Sequence, residues 1–246
     1  MTIHIGTSGW SYNHWAGIVY PRGASGLERL DAYVARFATV EVNNTFYRWP
    51  EEKVFATWRQ RTPPGFVFSL KASRGLTQFR KLNDPVPWLE RMDAGLRQLG
   101  EKMGVMVLQL PPHFPYNPER LARFLEVAPS WPRLAIEFRH PSWHREETFG
   151  LLEQKGVAYC VMSGAKLACV LRATAPFVYI RLHGPDSSHL YGGCYSQADL
   201  RWWADRIREW AAQGRDVYAY FNNDGHAHAV RNAESLRALV SNLTVP

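Results

Sequence analysis

Short apolar segments recur along the chain, and each is followed by a polar or turn-forming stretch. Within them, apolar residues alternate with other residues or run together over five or six positions, which is typical of buried β-strands. Eight segments are predicted as strands: residues 3–7, 39–43, 66–71, 105–110, 134–139, 157–162, 178–183 and 217–222.

Segments with helical periodicity lie between most of the predicted strands, at residues 27–37, 86–99, 118–128, 197–212 and 229–240. Residues 164–175 have no such pattern, so the helix after the sixth strand is expected to be shortened or missing. Strands that alternate with helices over this length predict an α/β protein, a single TIM-type (β/α)8 barrel domain over residues 1–246. No glycine-rich nucleotide-binding motif follows any predicted strand.

Charge and cysteine content narrow the choice of partner and compartment. The chain has 29 basic and 22 acidic residues, a net charge of +7, which favours a phosphate, a carboxylate or nucleic acid as partner. No stretch of about 18 apolar residues and no signal-peptide pattern is present, so no membrane partner is expected. The three cysteines have no disulfide-like spacing, which predicts reduced thiols and a cytoplasmic protein. No feature of the sequence indicates an oligomeric state.

Polar side chains lie at the ends of six predicted strands. In a (β/α)8 barrel, residues alternate between the inside and the outside, and active sites form at the carboxyl ends of the strands. If the Val, Ile, Leu and Phe positions face the helices, the inward polar residues are Glu41, Asn43, Lys71, Gln109, Glu137, Arg139, Arg181, His183 and Asn222. Hydrogen bonding inside the barrel could explain single cases, but six strands that end in this way predict a functional site.

Seven sequence blocks occur in order along the chain: Ile5-Gly-Thr-Ser-Gly-Trp-Ser-Tyr12, Val40-Glu-Val-Asn-Asn-Thr-Phe-Tyr47, Phe66-x-Phe-Ser-x-Lys-Ala72, Gln109-Leu-Pro-Pro112, Ile136-Glu-Phe-Arg-His140, Arg181-Leu-His-Gly184 and Tyr220-Phe-Asn-Asn-Asp224. Together they resemble the domain of unknown function 72 family, also called YecE-like proteins. The resemblance implies a TIM-barrel-like fold and no established reaction. The chain has Thr77-Gln78 where the family usually has Thr-His, and glutamine forms hydrogen bonds but does not titrate.

Glu41, Glu137 and His183 are the predicted catalytic residues. Two carboxylates at the strand ends can divide general acid and base roles between them, and an imidazole transfers protons near neutral pH. Each glutamate has an alternative role as the ion-pair partner of a neighbouring cation. His183 has an alternative role as a hydrogen-bonded loop histidine.

Cationic and amide side chains predict a substrate-binding cradle for an anion. Arginine binds carboxylates and phosphates through two parallel hydrogen bonds, which suits such a cradle. The predicted substrate-binding residues are Trp10, Asn43, Lys71, Gln109, Arg139, His140, Arg181, Asn222 and Asn223.

The favoured function is that of an enzyme, a hydrolase or isomerase, which applies paired carboxylates and a cationic cradle to a small polar or anionic substrate. The alternatives are a nucleic-acid-processing, phosphodiesterase-like protein and a non-catalytic, metabolite-binding barrel. No cofactor is predicted. A divalent metal is less favoured because three cations lie near the same strand ends and no H-E-x-x-H motif is present.

Overall fold

The computed structural model describes residues 1–241. Its eight parallel strands are β1 (Ile3–Thr7), β2 (Thr39–Val42), β3 (Val67–Lys71), β4 (Met103–Leu110), β5 (Arg133–Phe138), β6 (Ala158–Ser163), β7 (Phe177–Leu182) and β8 (Asp216–Phe221). They form one sheet in the order β1-β8-β7-β6-β5-β4-β3-β2, and a parallel bridge joins Ser8 to Glu41. Each strand therefore lies beside its neighbours in sequence, and β1 lies beside β8. This is the strand order of the TIM-type (β/α)8 fold, so the predicted fold class is confirmed.

Helices follow most strands: α1 (Gly26–Val34), α2 (Asn44–Tyr47), α3 (Glu52–Arg61), α4 (Val86–Leu99), α5 (Pro118–Val127), α6 (Glu146–Gln154), α7 (Gln197–Ala212) and α8 (His228–Ser241). A π-helical turn occupies Gly75–Phe79. Residues 164–176, all of them described, contain no helix, as the sequence predicted.

Several predicted boundaries are corrected by the structure. The first helix ends at Val34, because Ala35 caps it and the chain turns there, and not at residue 37. Asn43, Arg139, His183 and Asn222 each lie one residue beyond the strand that was predicted to contain them. Helices α2, α3 and α6 had not been predicted. These shifts leave the polar side chains at or just after the carboxyl ends of the strands.

The described chain divides into two compact units. The first contains Met1–Glu41, Val161–Cys169 and the described residues from Pro176 onward, and the second contains Val42–Cys160 and Val170–Ala175. The expectation of a single domain over residues 1–246 stays a prediction. None of the helices within residues 1–241 has both the length and the apolar composition that crossing a membrane requires.

In the first unit, a buried tyrosine connects α1 to the sheet. A capping box between Ser25 and Glu28 begins α1. The Tyr33 hydroxyl accepts a hydrogen bond from the Thr7 backbone N–H at 3.0 Å and donates to the Thr39 carbonyl at 3.0 Å. Burial raises the pKa of Tyr33 well above its ordinary value, so the hydroxyl stays protonated. These bonds position the beginning of β2, the strand that contains Glu41.

In the second unit, an aromatic cluster and a buried lysine position α3. The Trp58 ring lies 5.3 Å from Phe55 and 5.9 Å from Phe68 on β3. The Lys102 ammonium donates to the carbonyl oxygens of Arg59 and Thr62, which satisfies the end of α3. Burial lowers the pKa of Lys102.

Candidate functional site

A buried ion pair between Glu41 and Arg181 lies in the first unit. Arg181 Nη2 donates to Glu41 Oε1 at 2.7 Å, and both side chains are completely buried. The same carboxylate accepts hydrogen bonds from the hydroxyls of Ser8 and Tyr179, the second at 2.6 Å. Burial and the nearby Glu41 charge raise the pKa of Tyr179 well above its ordinary value, so Tyr179 stays a donor.

These contacts bear on the predicted roles of both residues. Donors reach both carboxylate oxygens of Glu41, and a guanidinium lies against them. Buried charges that are fully paired with each other are expensive to separate. The arrangement favours a positioning role for the pair, while acid–base chemistry by Glu41 and substrate binding by Arg181 stay predictions.

His183 and Asn222 lie directly after β7 and β8, also in the first unit. The Asn222 Nδ2 atom is 3.2 Å from His183 Nδ1. An amide nitrogen only donates, so Nδ1 is the acceptor in this contact. The His183 side chain is buried, and the Tyr191 ring lies edge-on to it at 5.3 Å. The structure therefore brings these two predicted residues together in a fixed orientation.

Asn223 is held by a residue that the sequence did not indicate. Its Nδ2 donates to the Gly193 carbonyl at 2.9 Å and to Asn232 Oδ1 at 3.0 Å. Its Oδ1 is buried and has no hydrogen-bond partner among the described residues. Two acceptors fix the orientation of the amide, so Asn223 presents an acceptor that suits a hydroxyl or amine donor.

Asn232 was missed because it lies within α8, and a polar residue on a helix gives no strand-end signal. It is buried, and its Nδ2 also donates to the Tyr195 carbonyl at 3.2 Å. Trp10, one of the predicted substrate-binding residues, follows β1 and is buried in the same unit, and its binding role stays a prediction.

The second unit contains a second buried carboxylate, that of Glu137 on β5, which contacts the adjacent strand β4. Gln109 on β4 is in register with Glu137 on β5, and its Nε2 donates to Glu137 Oε1 at 2.8 Å. Arg139 Nε forms an ion pair with the same oxygen. Glu137 is completely buried, whereas the Arg139 side chain is 8% exposed. Three predicted residues are thus in direct contact at the carboxyl ends of two strands.

Gln78, where this chain departs from the usual pattern, is close to that cluster. Its Nε2 donates to the Gln109 carbonyl at 2.5 Å, so it supports the backbone next to Glu137. A glutamine in this position can orient a ligand but cannot exchange a proton with it.

Lys71 is the last residue of β3, and Asn43 directly follows β2 in the same unit. Thr45 Oγ1 is 3.0 Å from the Val42 carbonyl and 2.7 Å from the Lys71 carbonyl, which joins the two strand ends. The Lys71 ammonium lies 4.0 Å from the centroid of the Phe46 ring. Asn43 is half-buried directly after β2.

His140 follows β5 and its orientation is set by Ser142. The Ser142 backbone N–H donates to His140 Nδ1 at 3.2 Å, and the Ser142 hydroxyl is 2.8 Å from the same atom. Because Nδ1 is occupied as an acceptor, Nε2 is the nitrogen that can meet a ligand. Its substrate-binding role stays a prediction.

Acidic, histidine and cysteine side chains do not gather into a metal-binding group anywhere in residues 1–241, where no three of them are suitably close. The expectation that no cofactor is bound stays a prediction.

The strand order and the buried carboxylates at strand ends define a TIM-type barrel protein with two polar clusters. Comparison with known proteins identifies its family. The profile described as "Protein of unknown function DUF72" matches residues 4–245, and the chain belongs to this family.

Relatives of this family agree with the fold. The UPF0759 protein YunF of Bacillus subtilis is 28% identical, with 97% of this chain and 94% of YunF aligned. The crystal structure of a DUF72 family protein from Thermotoga maritima has a TM-score of 0.86 at 28% identity, covering 98% of this chain and 99% of that chain. A D-psicose 3-epimerase shares the fold alone, with a TM-score of 0.58 at 12% identity over 98% of each chain.

Proposed function

We propose that this protein is an enzyme that applies acid–base chemistry to a small polar, anionic substrate, as a hydrolase or an isomerase. The observation that supports this proposal is the contact between Gln109, Glu137 and Arg139 at the carboxyl ends of β4 and β5. TIM-type barrel enzymes place their catalytic residues at these ends. A buried carboxylate held by a donor from a neighbouring strand and by the arginine that follows its own strand is oriented before a ligand arrives, as catalysis requires.

We assign the proton-accepting role to Glu137. The Arg139 guanidinium beside it stabilises the ionised carboxylate, which is the form that accepts a proton. The planar guanidinium of Arg139 has the geometry that suits a carboxylate or phosphate group of a substrate. Lys71, in the same unit, adds a second positive charge for an anion.

In the first unit, His183 is assigned a second proton-transfer role, with Asn222 fixing the tautomer of its ring. Glu41 and Arg181 are assigned to positioning, because the two side chains form a completely buried ion pair. The amide oxygen of Asn223 is assigned to a substrate hydroxyl or amine.

The test compares the protein with Glu137→Gln, which keeps the side-chain shape and removes the carboxylate. Each is incubated with a small-molecule extract of bacterial cells, and the metabolites are followed by mass spectrometry. We expect the unmodified protein to convert at least one anionic metabolite, and Glu137→Gln to bind that metabolite without converting it. The control is Glu101→Gln, which changes an exposed glutamate in the same unit.

Equal conversion by Glu137→Gln would show that Glu137 is not the proton acceptor. If the unmodified protein retains a metabolite through purification but converts none, the protein is a metabolite-binding barrel and the enzymatic proposal is wrong. Circular dichroism of each variant checks that the fold is intact.

A further inference from the structure

A row of alternating cationic and aromatic side chains runs across the second unit, on the segments that follow β2 and β3. The Lys71 ammonium contacts the Phe46 ring, and Phe46 packs edge-on against Tyr47 at 5.1 Å. The Arg74 guanidinium carbon lies 5.8 Å from the centroid of the Tyr47 ring and 5.6 Å from that of Phe79. We refer to Tyr47, Arg74 and Phe79 as the outer row.

The two rings of the outer row are unusually exposed. Phe79 is 72% exposed and Tyr47 is 66% exposed, whereas Trp202, the next most exposed of the described Phe, Tyr and Trp residues, is 42% exposed. Both rings contact the same arginine. A cation–π contact at an exposed site is weak compared with burial of an aromatic side chain. Fold stability therefore does not explain why two exposed rings are both held against the Arg74 guanidinium.

The backbone that presents Phe79 is fixed. Phe79 ends the π-helical turn, and such turns are frequent at functional sites. The turn packs tightly, since a Cβ added at Gly75 would lie 2.0 Å from the Trp88 ring. The buried Leu82, at φ 65°, donates from its backbone N–H to the Leu76 carbonyl at 3.0 Å, which closes the turn. The exposed ring is thus a built feature of this segment.

The two segments that carry the outer row, residues 44–48 and 73–84, contain mostly positive charges. Arg48, Arg74 and Arg80 are exposed and Lys81 is half-exposed, while residues 44–48 and 73–84 contain one acidic side chain, Asp84. Proteins that hold single-stranded nucleic acid combine such cations with aromatic faces, on which unpaired bases stack. A duplex keeps its bases stacked on each other and offers no base face to these rings.

We propose that the outer row binds single-stranded nucleic acid, with bases stacked on Tyr47 and Phe79 and phosphates held by Arg74 and its basic neighbours. The inference rests on the outer row and its basic neighbours, and it does not depend on the enzymatic role proposed for Glu137.

The test measures the fluorescence anisotropy of a 5′-fluorescein-labelled oligothymidylate of about twelve nucleotides, titrated with the full chain at low salt. Tyr47→Ala and Phe79→Ala are each expected to weaken binding roughly 5- to 150-fold, because each removes one stacking platform. The matched control is Trp202→Ala on α7. That ring is also exposed and lies 5.5 Å from an arginine, Arg206, but it belongs to the first unit. The control is expected to leave binding unchanged.

Salt dependence provides a second readout. Binding to a single strand weakens with added salt, with a logarithmic slope of about −0.7 for each phosphate neutralised. Arg80→Gln should therefore reduce the magnitude of the slope by about 0.7. Absence of binding at low salt, or an equal loss in Trp202→Ala, would overturn the proposal. So would binding that resists both aromatic substitutions and is displaced by heparin, because the surface would then hold any polyanion.

Discussion

Replacement of Glu41 by glutamine tests whether the Glu41 carboxylate is a structural partner of Arg181 in a buried ion pair. The substitution keeps the side-chain volume and leaves the buried Arg181 guanidinium without its counter-charge. Removing one partner of a buried ion pair costs about 3–5 kcal/mol, since the remaining charge stays desolvated. In a chain of this size each kcal/mol lowers Tm by about 2–4 °C, so we expect a loss of roughly 6–20 °C.

Urea unfolding followed by tryptophan fluorescence measures this cost, and a double-mutant cycle apportions it. Arg181→Met alone should also be strongly destabilising, because it leaves the Glu41 carboxylate buried and uncompensated. The double variant, with both charges removed, should recover part of the loss. The coupling free energy then reports the interaction between the two side chains.

The control is Glu101→Gln, which breaks an exposed pair. Arg59 Nη2 lies 2.7 Å from Glu101 Oε2, the same separation as in the buried pair, but the two side chains are 46% and 63% exposed. An exposed pair contributes at most about 1 kcal/mol. If Glu41→Gln lowers the free energy of unfolding no more than Glu101→Gln does, the positioning role of Glu41 is refuted, and an acid–base role for Glu41 is favoured.

Three further predictions concern the loop between β7 and α7 and its surroundings. Hydrogen bonds from Ser188 lower the pKa of Asp186 from 3.8 to about 2, so the ionised carboxylate stabilises the fold above pH 4, and this stabilisation is lost as the pH falls towards 2. A carboxyl NMR titration should give an Asp186 midpoint of about 2, and Ser188→Ala should raise that midpoint. Burial raises the pKa of Tyr195 from 10 to about 12, so the free energy of unfolding should fall as the pH rises from 10 to 12. Urea unfolding of Tyr195→Phe should show a smaller fall over the same pH range. Gly184→Ala should be more destabilising than Gly214→Ala, because both glycines have positive φ but only the Gly184 Cβ would lie 2.1 Å from a backbone oxygen. Equal losses in the free energy of unfolding, measured in urea, would contradict this prediction.

The strands could be predicted from the sequence because their signal is local. Period-two alternation and β-branched residues located all eight strands, with boundaries within two residues of those observed. Two long helices, Val86–Leu99 and Gln197–Ala212, were predicted with their observed bounds. Their apolar stripes extend over several turns, so the helical period is readable.

Two of the three helices that were not predicted, α3 and α6, have weaker apolar stripes. Only Phe55 and Trp58 of α3 are fully buried, among polar and cationic neighbours. α6 contains Gly150, which disfavours a helix interior, and buries only a narrow face. Tertiary packing stabilises both helices more than their own sequences indicate.

The candidate site shows where sequence reasoning reaches its limit. Strand parity identified Glu41 and Glu137 as equivalent polar ends, because alternation reports only which way a side chain points. What distinguishes them is the set of partners, and these come from distant positions in the chain: Tyr179 and Arg181 for Glu41, and Gln109 for Glu137.

For Glu41, a completely buried guanidinium and a tyrosine hydroxyl occupy both carboxylate oxygens, which suits a fixed structural anion. For Glu137, the Gln109 amide of a neighbouring strand and the Arg139 guanidinium hold the carboxylate, and the Arg139 side chain is 8% exposed. Because desolvating a charge is costly, we expect a substrate anion to pair with Arg139 more readily than with the completely buried Arg181. These differences are the reason why the proposed acid–base chemistry is assigned to Glu137 and not to Glu41.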